Sequence, residues 1–292
     1  MRAGIVTVAG KPNAGKSTLL NRIVGQKLSI VSPKPQSTRD RIVGIHTAGD
    51  VQMVLFDTPG LLEPRYALHR AMRSAAVRAL HDADAILHLV DGAADEPAPL
   101  MAVAQLDTPP APPVVLVINK ADVLSGERRA ALAAAYPDAA FIAATTGEGV
   151  DDLLGRVTAL LPESPFLYPD DEISTQSLRF FVSELIRETA LEQLDDEVPY
   201  SVACEIEEFR ENAKPVYIRA VLHVERDSQK RILIGAKGAR IRTIGSVARE
   251  KVETLVGGAV YLDLWVKVLP NWRRNVQALE RLGFHFPEER ST

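Results

Sequence analysis

The stretch "GKPNAGKS", Gly10 to Ser17, fits the pattern G-x-x-x-x-G-K-S, with an apolar run before it and helix-forming residues after it. A glycine-rich turn of this kind aims backbone N–H groups at one place, and the positive end of the following helix adds to their field. The chemistry on offer is phosphate binding. Gly10, Lys11, Pro12, Asn13, Ala14, Gly15, Lys16, Ser17 and Thr18 form the candidate cradle. Lys16 can reach the β and γ phosphates of a nucleotide, and the Ser17 hydroxyl can hold Mg²⁺. A glycine turn that merely opens a helix is the plain alternative, and the strand-turn-helix context weighs against it.

Two further motifs narrow the ligand. "DTPG" (Asp57, Thr58, Pro59, Gly60), followed by Leu61, ends an apolar run; its carboxylate can steer a Mg²⁺ shell and the Gly60 N–H can face a γ-phosphate. "NKAD" (Asn119, Lys120, Ala121, Asp122) ends another run on the same carboxyl edge, where open α/β sheets bind ligands. The Asp122 carboxylate can accept from the ring N–H and the exocyclic amine of guanine, whereas adenine presents no such pair. A buried carboxylate left unpaired is costly, so a site of this kind rejects ATP. Each motif alone is weak. In order, on successive strand ends, they specify GTP and GDP with Mg²⁺.

The elements that must position these residues follow from periodicity. From Gly4 to about Leu161, the apolar runs "GIVTVAG", "VQMVLFD", "DAILHLVD" and "PPVVLVINK" read as strands covered on both faces. They alternate with "KSTLLNRIVG", "RYALHRAMRSAAVRALHDA" and "GVDDLLGRVTALL", which have helical spacing. Only a short helix is expected between Asp91 and Pro113. The fold class is α/β, a doubly wound P-loop domain over residues 1–162. Pro162, Pro165 and Pro169 then mark a linker over 163–173.

Residues 174–292 form a smaller α+β domain. The helix "STQSLRFFVSELIRETALEQL" has Ser174 or Thr175 as its expected N-cap. The strands "YSVACEIEEF" and "PVYIRAVLHVE" follow, the second with Val216, Ile218, Ala220, Leu222 and Val224 on one face. A short helix, a longer one with Ile241, Ile244, Ala248, Val252 and Leu255 on one side, a strand "AVYLDLWVKV" and a helical tail complete the order α-β-β-α-α-β.

Within this domain "RILIGAKGARIRTIG" places Gly235 and Gly238 at the G-x-x-G spacing of a KH loop. The chain carries a net charge of −4, yet between Arg226 and Lys251 eight basic residues face two acidic ones, a local +6. A basic island in an acidic chain points to a polyanion held at one place. Ile234, Gly235, Ala236, Lys237, Gly238, Arg240 and Arg242 are the candidate RNA-binding residues, with N–H groups clamping backbone phosphates and the cations adding salt-sensitive attraction. Ile234, Ile241 and Ile244 read equally well as core. Trp272, Arg273 and Arg274 either stack on RNA or cap the domain.

Composition excludes other classes. The single cysteine, Cys204, cannot form an internal disulfide, reads as a small hydrophobe in a strand, and no Cys/His spacing resembles a zinc site. The histidines show no metal or catalytic spacing, and His46 and His88 read as structural. No serine or cysteine nucleophile arrangement is present. No apolar run approaches the roughly 20 residues of a membrane helix, and the chain opens on a strand without a leader, so a cytoplasmic protein is expected, with peripheral membrane contact left open.

Through these motifs the whole chain resembles the Era-like family of bacterial GTPases within the translation-factor-related group. "PQSTRDRIVGIHT", "LYPDD" and "LDLWVKV" extend the resemblance over essentially every residue. It implies a type II KH domain, and a switch loop over Lys27 to Ile45. It also implies that Thr38 joins Ser17 on Mg²⁺ in the GTP state, that Asp57 reaches the metal through water, and that Lys16, Thr38 and Gly60 carry catalysis. Ala143, Ala144 and Thr145 occupy the guanine-supporting loop, with Ala143 where the family usually has serine. Leu61 stands where Ras-type enzymes carry a water-orienting glutamine, which implies slow intrinsic hydrolysis. Asn13 resembles the asparagine that coordinates K⁺ in related GTPases; a loop-shaping role is the alternative. Lys237 lies one place later than the lysine of the family's more usual Gly-Lys-Gly-Gly loop. The implied partners are small-subunit ribosomal RNA and the small ribosomal subunit, with no obligate protein partner and a monomeric state. Two rivals stay open: a ribosome-associated GTPase acting on another RNA, and a KH RNA-binding protein with a vestigial nucleotide site.

Overall fold

The computed structural model describes residues 1–34, 36–194 and 198–286, which form two compact units. In the first, six strands lie in the order β2-β3-β1-β4-β5-β6: β1 (Arg2–Gly10), β2 (Ile42–Ala48), β3 (Val51–Asp57), β4 (Ala85–Asp91), β5 (Val114–Asn119) and β6 (Ala140–Phe141). β1 runs parallel to both β3 and β4, and β4 to β5, so the carboxyl ends of β1, β3 and β5 share one edge. The helices between the strands are α1 (Lys16–Val24), α2 (Ala67–His81), the short α3 (Leu100–Ala104), α4 (Gly126–Ala135) and α5 (Val150–Leu160). Strand β4 is buried along its whole length, as its apolar run AILHLV, interrupted only by His88, leads one to expect.

Three elements depart from the sequence reading. Strand β2 pairs antiparallel with β3, making a hairpin at the edge of an otherwise parallel sheet. Helix α4 is rich in alanine and buries only Leu132, so it shows no strong apolar stripe. Strand β6 is only two residues long.

The proline-rich stretch after α5 is tied to the β2–β3 hairpin by a buried amide. Gln52 Oε1 accepts from the N–H groups of Leu167 (2.8 Å) and Tyr168 (3.0 Å), and its Nε2 donates to the Tyr168 carbonyl (2.9 Å). Ile45 N–H donates to Ile173 O (2.8 Å), and the Ser174 hydroxyl donates to Val43 O (2.5 Å). That use of Ser174 explains why it does not cap the next helix: Ser177 does, accepting from Phe180 N–H.

The second unit opens with α6 (Leu178–Gln193) and has a three-stranded sheet, β7 (Ala203–Arg210), β8 (Val216–Val224) and β9 (Val260–Val268). β7 and β8 are antiparallel, β8 and β9 parallel. Helices α7 (Asp227–Ile234) and α8 (Ala239–Val256) lie between β8 and β9, and α9 (Val276–Arg281) follows. Alternate β8 residues Ile218, Ala220, Leu222 and Val224 enter a core shared with Ile186, Ile244, Ala248 and Val252. Leu255 is exposed, and Val256 packs on the core in its place. Trp272 is completely buried and its indole N–H donates to Ser201 O (2.9 Å), so it caps this unit. Arg273 is paired with Glu225. Cys204 sits in β7, where burial pushes its thiol above the ordinary range.

Candidate functional site

The first site grows from the end of β1. Gly15 closes the turn at φ 97°, and a Cβ there would lie 2.2 Å from Asn119 Nδ2, so only glycine fits. Asn13 also has positive φ (63°). The turn wraps Lys16, which is 5% exposed and whose Nζ donates to the carbonyls of Gly10 (3.2 Å) and Lys11 (2.9 Å). Burial lowers its pKa to about 8, against the opposing pull of Asp57.

At the same point three oxygen-bearing side chains converge from three elements. Ser17 Oγ donates to Asp57 Oδ2 at 2.7 Å and lies 3.0 Å from Thr38 Oγ1, which is 3.4 Å from the same carboxylate oxygen. Asp57 is fully buried, and its Oδ1 has no hydrogen-bond partner among the described residues. Burial raises its pKa, opposed chiefly by the charge of Lys16. Two hydroxyls and a carboxylate with one orphaned oxygen are the hard oxygen set that suits Mg²⁺. A cavity of about 350 Å³ opens above them, lined by the loop around Lys16, by Ile30 to Pro33 and Gln36 to Thr38, and by Gly60 and Lys120.

The loops beyond the oxygen cluster are organised by Asn119. Its Nδ2 donates to Ala14 O (2.8 Å) and its Oδ1 accepts from Ala144 N–H (3.0 Å), so one side chain ties the phosphate loop to the loop after β6. Lys120 has φ 62° and pairs with Asp91 at 2.6 Å. Ala121 and Ala144 are buried, while Asp122 and Thr145 are exposed. Thr58 is buried, its hydroxyl on Val8 O (2.9 Å). Leu61 turns inward: its N–H donates to Gly10 O and its side chain joins an apolar cluster with Ala9, Ala76 and Leu80. The sequence reading missed Arg22, which donates to the carbonyls of Ala144 and Thr145; no motif marks it, because the contact spans more than a hundred residues. Burial depresses the pKa of His46 and, with the charge of Lys11, takes His88 to about 4; both are neutral side chains within the sheet.

The second site is the turn between α7 and α8. Gly235 (φ 73°) is pinned, since a Cβ would meet Arg240 N at 2.9 Å; at Gly238 (φ 76°) a Cβ would meet only Ile241 Cγ2, at 4.0 Å. Lys237, at φ 49°, is exposed at the tip. Arg242 donates to Lys237 O (3.0 Å) and Arg240 to Ile232 O (3.2 Å), so both brace the turn. Ile244 is core, and Ile234 and Ile241 pack against it from partly buried positions.

A six-stranded sheet with this phosphate loop, its oxygen cluster and its two base-side loops defines a P-loop GTPase domain, and the second unit defines a KH domain. A family profile described as 50S ribosome-binding GTPase matches residues 5–120, and a KH domain profile matches residues 197–273. The chain is 43% identical to the GTPase Era of Marinobacter nauticus, with 97% of this chain and 95% of that one covered. It is 41% identical to the GTPase Era of Leuconostoc citreum, with 97% of each covered. Among solved structures, an Aquifex aeolicus Era variant bound to GDP and AlF4⁻ superposes with a TM-score of 0.90 at 35% identity, covering 98% of this chain and 100% of that one. An Era complex with MgGDPNP and nucleotides 1506–1542 of 16S ribosomal RNA gives 0.91 at the same identity and coverage. The chain belongs to the Era family of GTPases.

Proposed function

We propose that this protein is a GTP-driven switch acting in the cytoplasm, whose KH domain binds the end of small-subunit ribosomal RNA and which assists assembly of that subunit as a monomer. The observation that carries the nucleotide half is the convergence of Ser17, Thr38 and Asp57 beside buried Lys16. In this reading Ser17 and Thr38 would hold Mg²⁺ directly and Asp57 would hold it through water, and the bound ion would supply charge neutralisation at the phosphates. Gly10 to Thr18 and Gly60 surround the phosphates, and Asp122, Asn119, Ala144 and Thr145 select guanine. The side chain of Leu61 cannot orient water from the apolar cluster it occupies, so intrinsic turnover is slow.

The RNA half rests on the G-x-x-G turn, the local +6 charge and the relative solved with 16S RNA. Ile234 to Gly238, with Arg240 and Arg242, form the phosphate clamp. Single-turnover hydrolysis of GTP tests the reading against a vestigial site. Cleavage lost in Lys16→Met supports it, and no cleavage by the unaltered chain contradicts it.

A monovalent cation is a second element of the reading. The Asn13 amide donates to Pro33 O at 2.9 Å, which leaves Oδ1 as an acceptor at the cavity rim, where K⁺ can bind. Equal turnover in K⁺ and Na⁺ buffers would sink this assignment.

A further inference from the structure

The loop proposed to support guanine contains Ala143 where the family usually has serine, so it lacks one side-chain brace. Its backbone is folded on itself: Gly147 N–H donates to Ala143 O (2.8 Å) and Ala143 N–H to Glu148 O (2.9 Å). On one side it is held by Asn119, through Ala144 N–H. On the other side stands Arg22, in the last turn of the helix that begins with Lys16 and Ser17.

The guanidinium of Arg22 reaches two consecutive carbonyls. Nε donates to Ala144 O at 3.2 Å and Nη2 donates to Thr145 O. The side chain also lies against Gly147, where a Cβ built at φ 94° would stand 3.9 Å from Arg22 Cδ and Nη1. A planar fork that always carries charge can bridge two acceptors at once; a lysine ammonium on a flexible stem cannot hold the same pair in one geometry. The N–H groups on either side are committed as well, Ala144 N–H to Asn119 Oδ1 and Thr146 N–H to Ala143 O (3.2 Å), so the loop backbone is held both by α1 and by the end of β5.

We propose that Arg22 is a positioning residue for guanine recognition: it fixes the backbone of Ala144 and Thr145, and thereby joins the phosphate-binding helix to the base-binding loop. Arg22 touches no nucleotide in this scheme. Helix α1 grips the phosphates with its first turn and the base loop with its last, so occupancy at one end stiffens the other. The inference rests on the assignment of Asp122 and the 143–145 loop to the base.

The test is the dissociation rate of a fluorescent GDP from the full chain, measured for the unaltered protein, Arg22→Met, Arg22→Lys and Asp122→Ala. Loss of a charge-assisted pair at a partly exposed site corresponds to dissociation about five- to tenfold faster in Arg22→Met. Arg22→Lys should fall between the two, and in steady-state hydrolysis the loss should appear in KM for GTP rather than in kcat. Faster exchange of the amide hydrogens of residues 144–147 in Arg22→Met, before nucleotide is added, is the expected structural signature. Unchanged GDP release in Arg22→Met while Asp122→Ala releases faster would overturn the role of Arg22 and leave the base site standing. Unchanged release in both variants would overturn the assignment of the base site itself.

Discussion

The two phosphate-directed loops solve one problem in opposite ways. The loop at 10–17 buries its lysine, satisfies it with two carbonyls and surrounds it with a preformed cavity. The turn at 235–238 holds its lysine exposed at the tip and leaves one glycine with only a loose side-chain neighbour. A desolvated charge in a fixed cradle interacts strongly with one ligand of the right shape, because little water competes. An exposed cation on a turn acts through attraction that any polyanion backbone can exploit and salt can weaken. The first arrangement is therefore suited to chemistry, the second to docking.

This contrast can be broken at either loop. The largest effect is expected from Lys16→Met, which removes the cation proposed to face the γ-phosphate and should lower kcat for GTP hydrolysis by about 10²–10³-fold. A smaller loss would place the charge stabilisation elsewhere. Next is Gly235→Asp with Gly238→Asp, which puts carboxylates where RNA phosphates approach and forces side chains onto positive φ. RNA affinity should fall by more than about tenfold while GDP affinity holds, each read by direct titration.

A pH effect sharpens the comparison from the first loop alone. Lys16 has a pKa of about 8 in the nucleotide-free protein, below its ordinary value of 10.5. Bound phosphate favours the charged form, so binding above that pKa takes up a proton and weakens as pH rises; GDP affinity should fall about tenfold between pH 7 and pH 9. For the free protein, the unfolded chain binds more protons than the folded one between these two pKa values, so this group makes folding stability rise with pH there. A flat GDP affinity would mean that Lys16 stays charged without its ligand. The smallest effect is expected at the second loop, where Lys237→Ala should weaken RNA binding a few-fold and reduce the salt slope by about 0.7.

The residues assigned to phosphate and metal were the most legible ones. Lys16, Ser17 and Asp57 lie in short motifs at strand ends, where local geometry alone decides where a side chain points. Thr38 came only with the family resemblance, since nothing local distinguishes it from Thr47. Arg22 was invisible because its contact joins α1 to a loop more than a hundred residues later. In the fold, the long apolar runs read correctly, whereas α4 did not, because an alanine-rich helix on the surface buries little and shows no stripe. The cap at Ser177 was misplaced by three residues since Ser174 spends its hydroxyl on the Val43 carbonyl. Trp272 offered two readings, and only packing decided for the cap.

A GTP-driven switch that binds RNA through its KH turn requires that RNA held at 235–238 alter hydrolysis at the 10–17 loop. This requirement is tested most directly by GTP hydrolysis in the full chain with and without an oligonucleotide matching nucleotides 1506–1542 of 16S ribosomal RNA, beside the Gly235→Asp, Gly238→Asp double variant. Stimulation by RNA that the double variant loses is the expected result. Hydrolysis indifferent to RNA that is bound, or stimulated equally in the double variant, would contradict it.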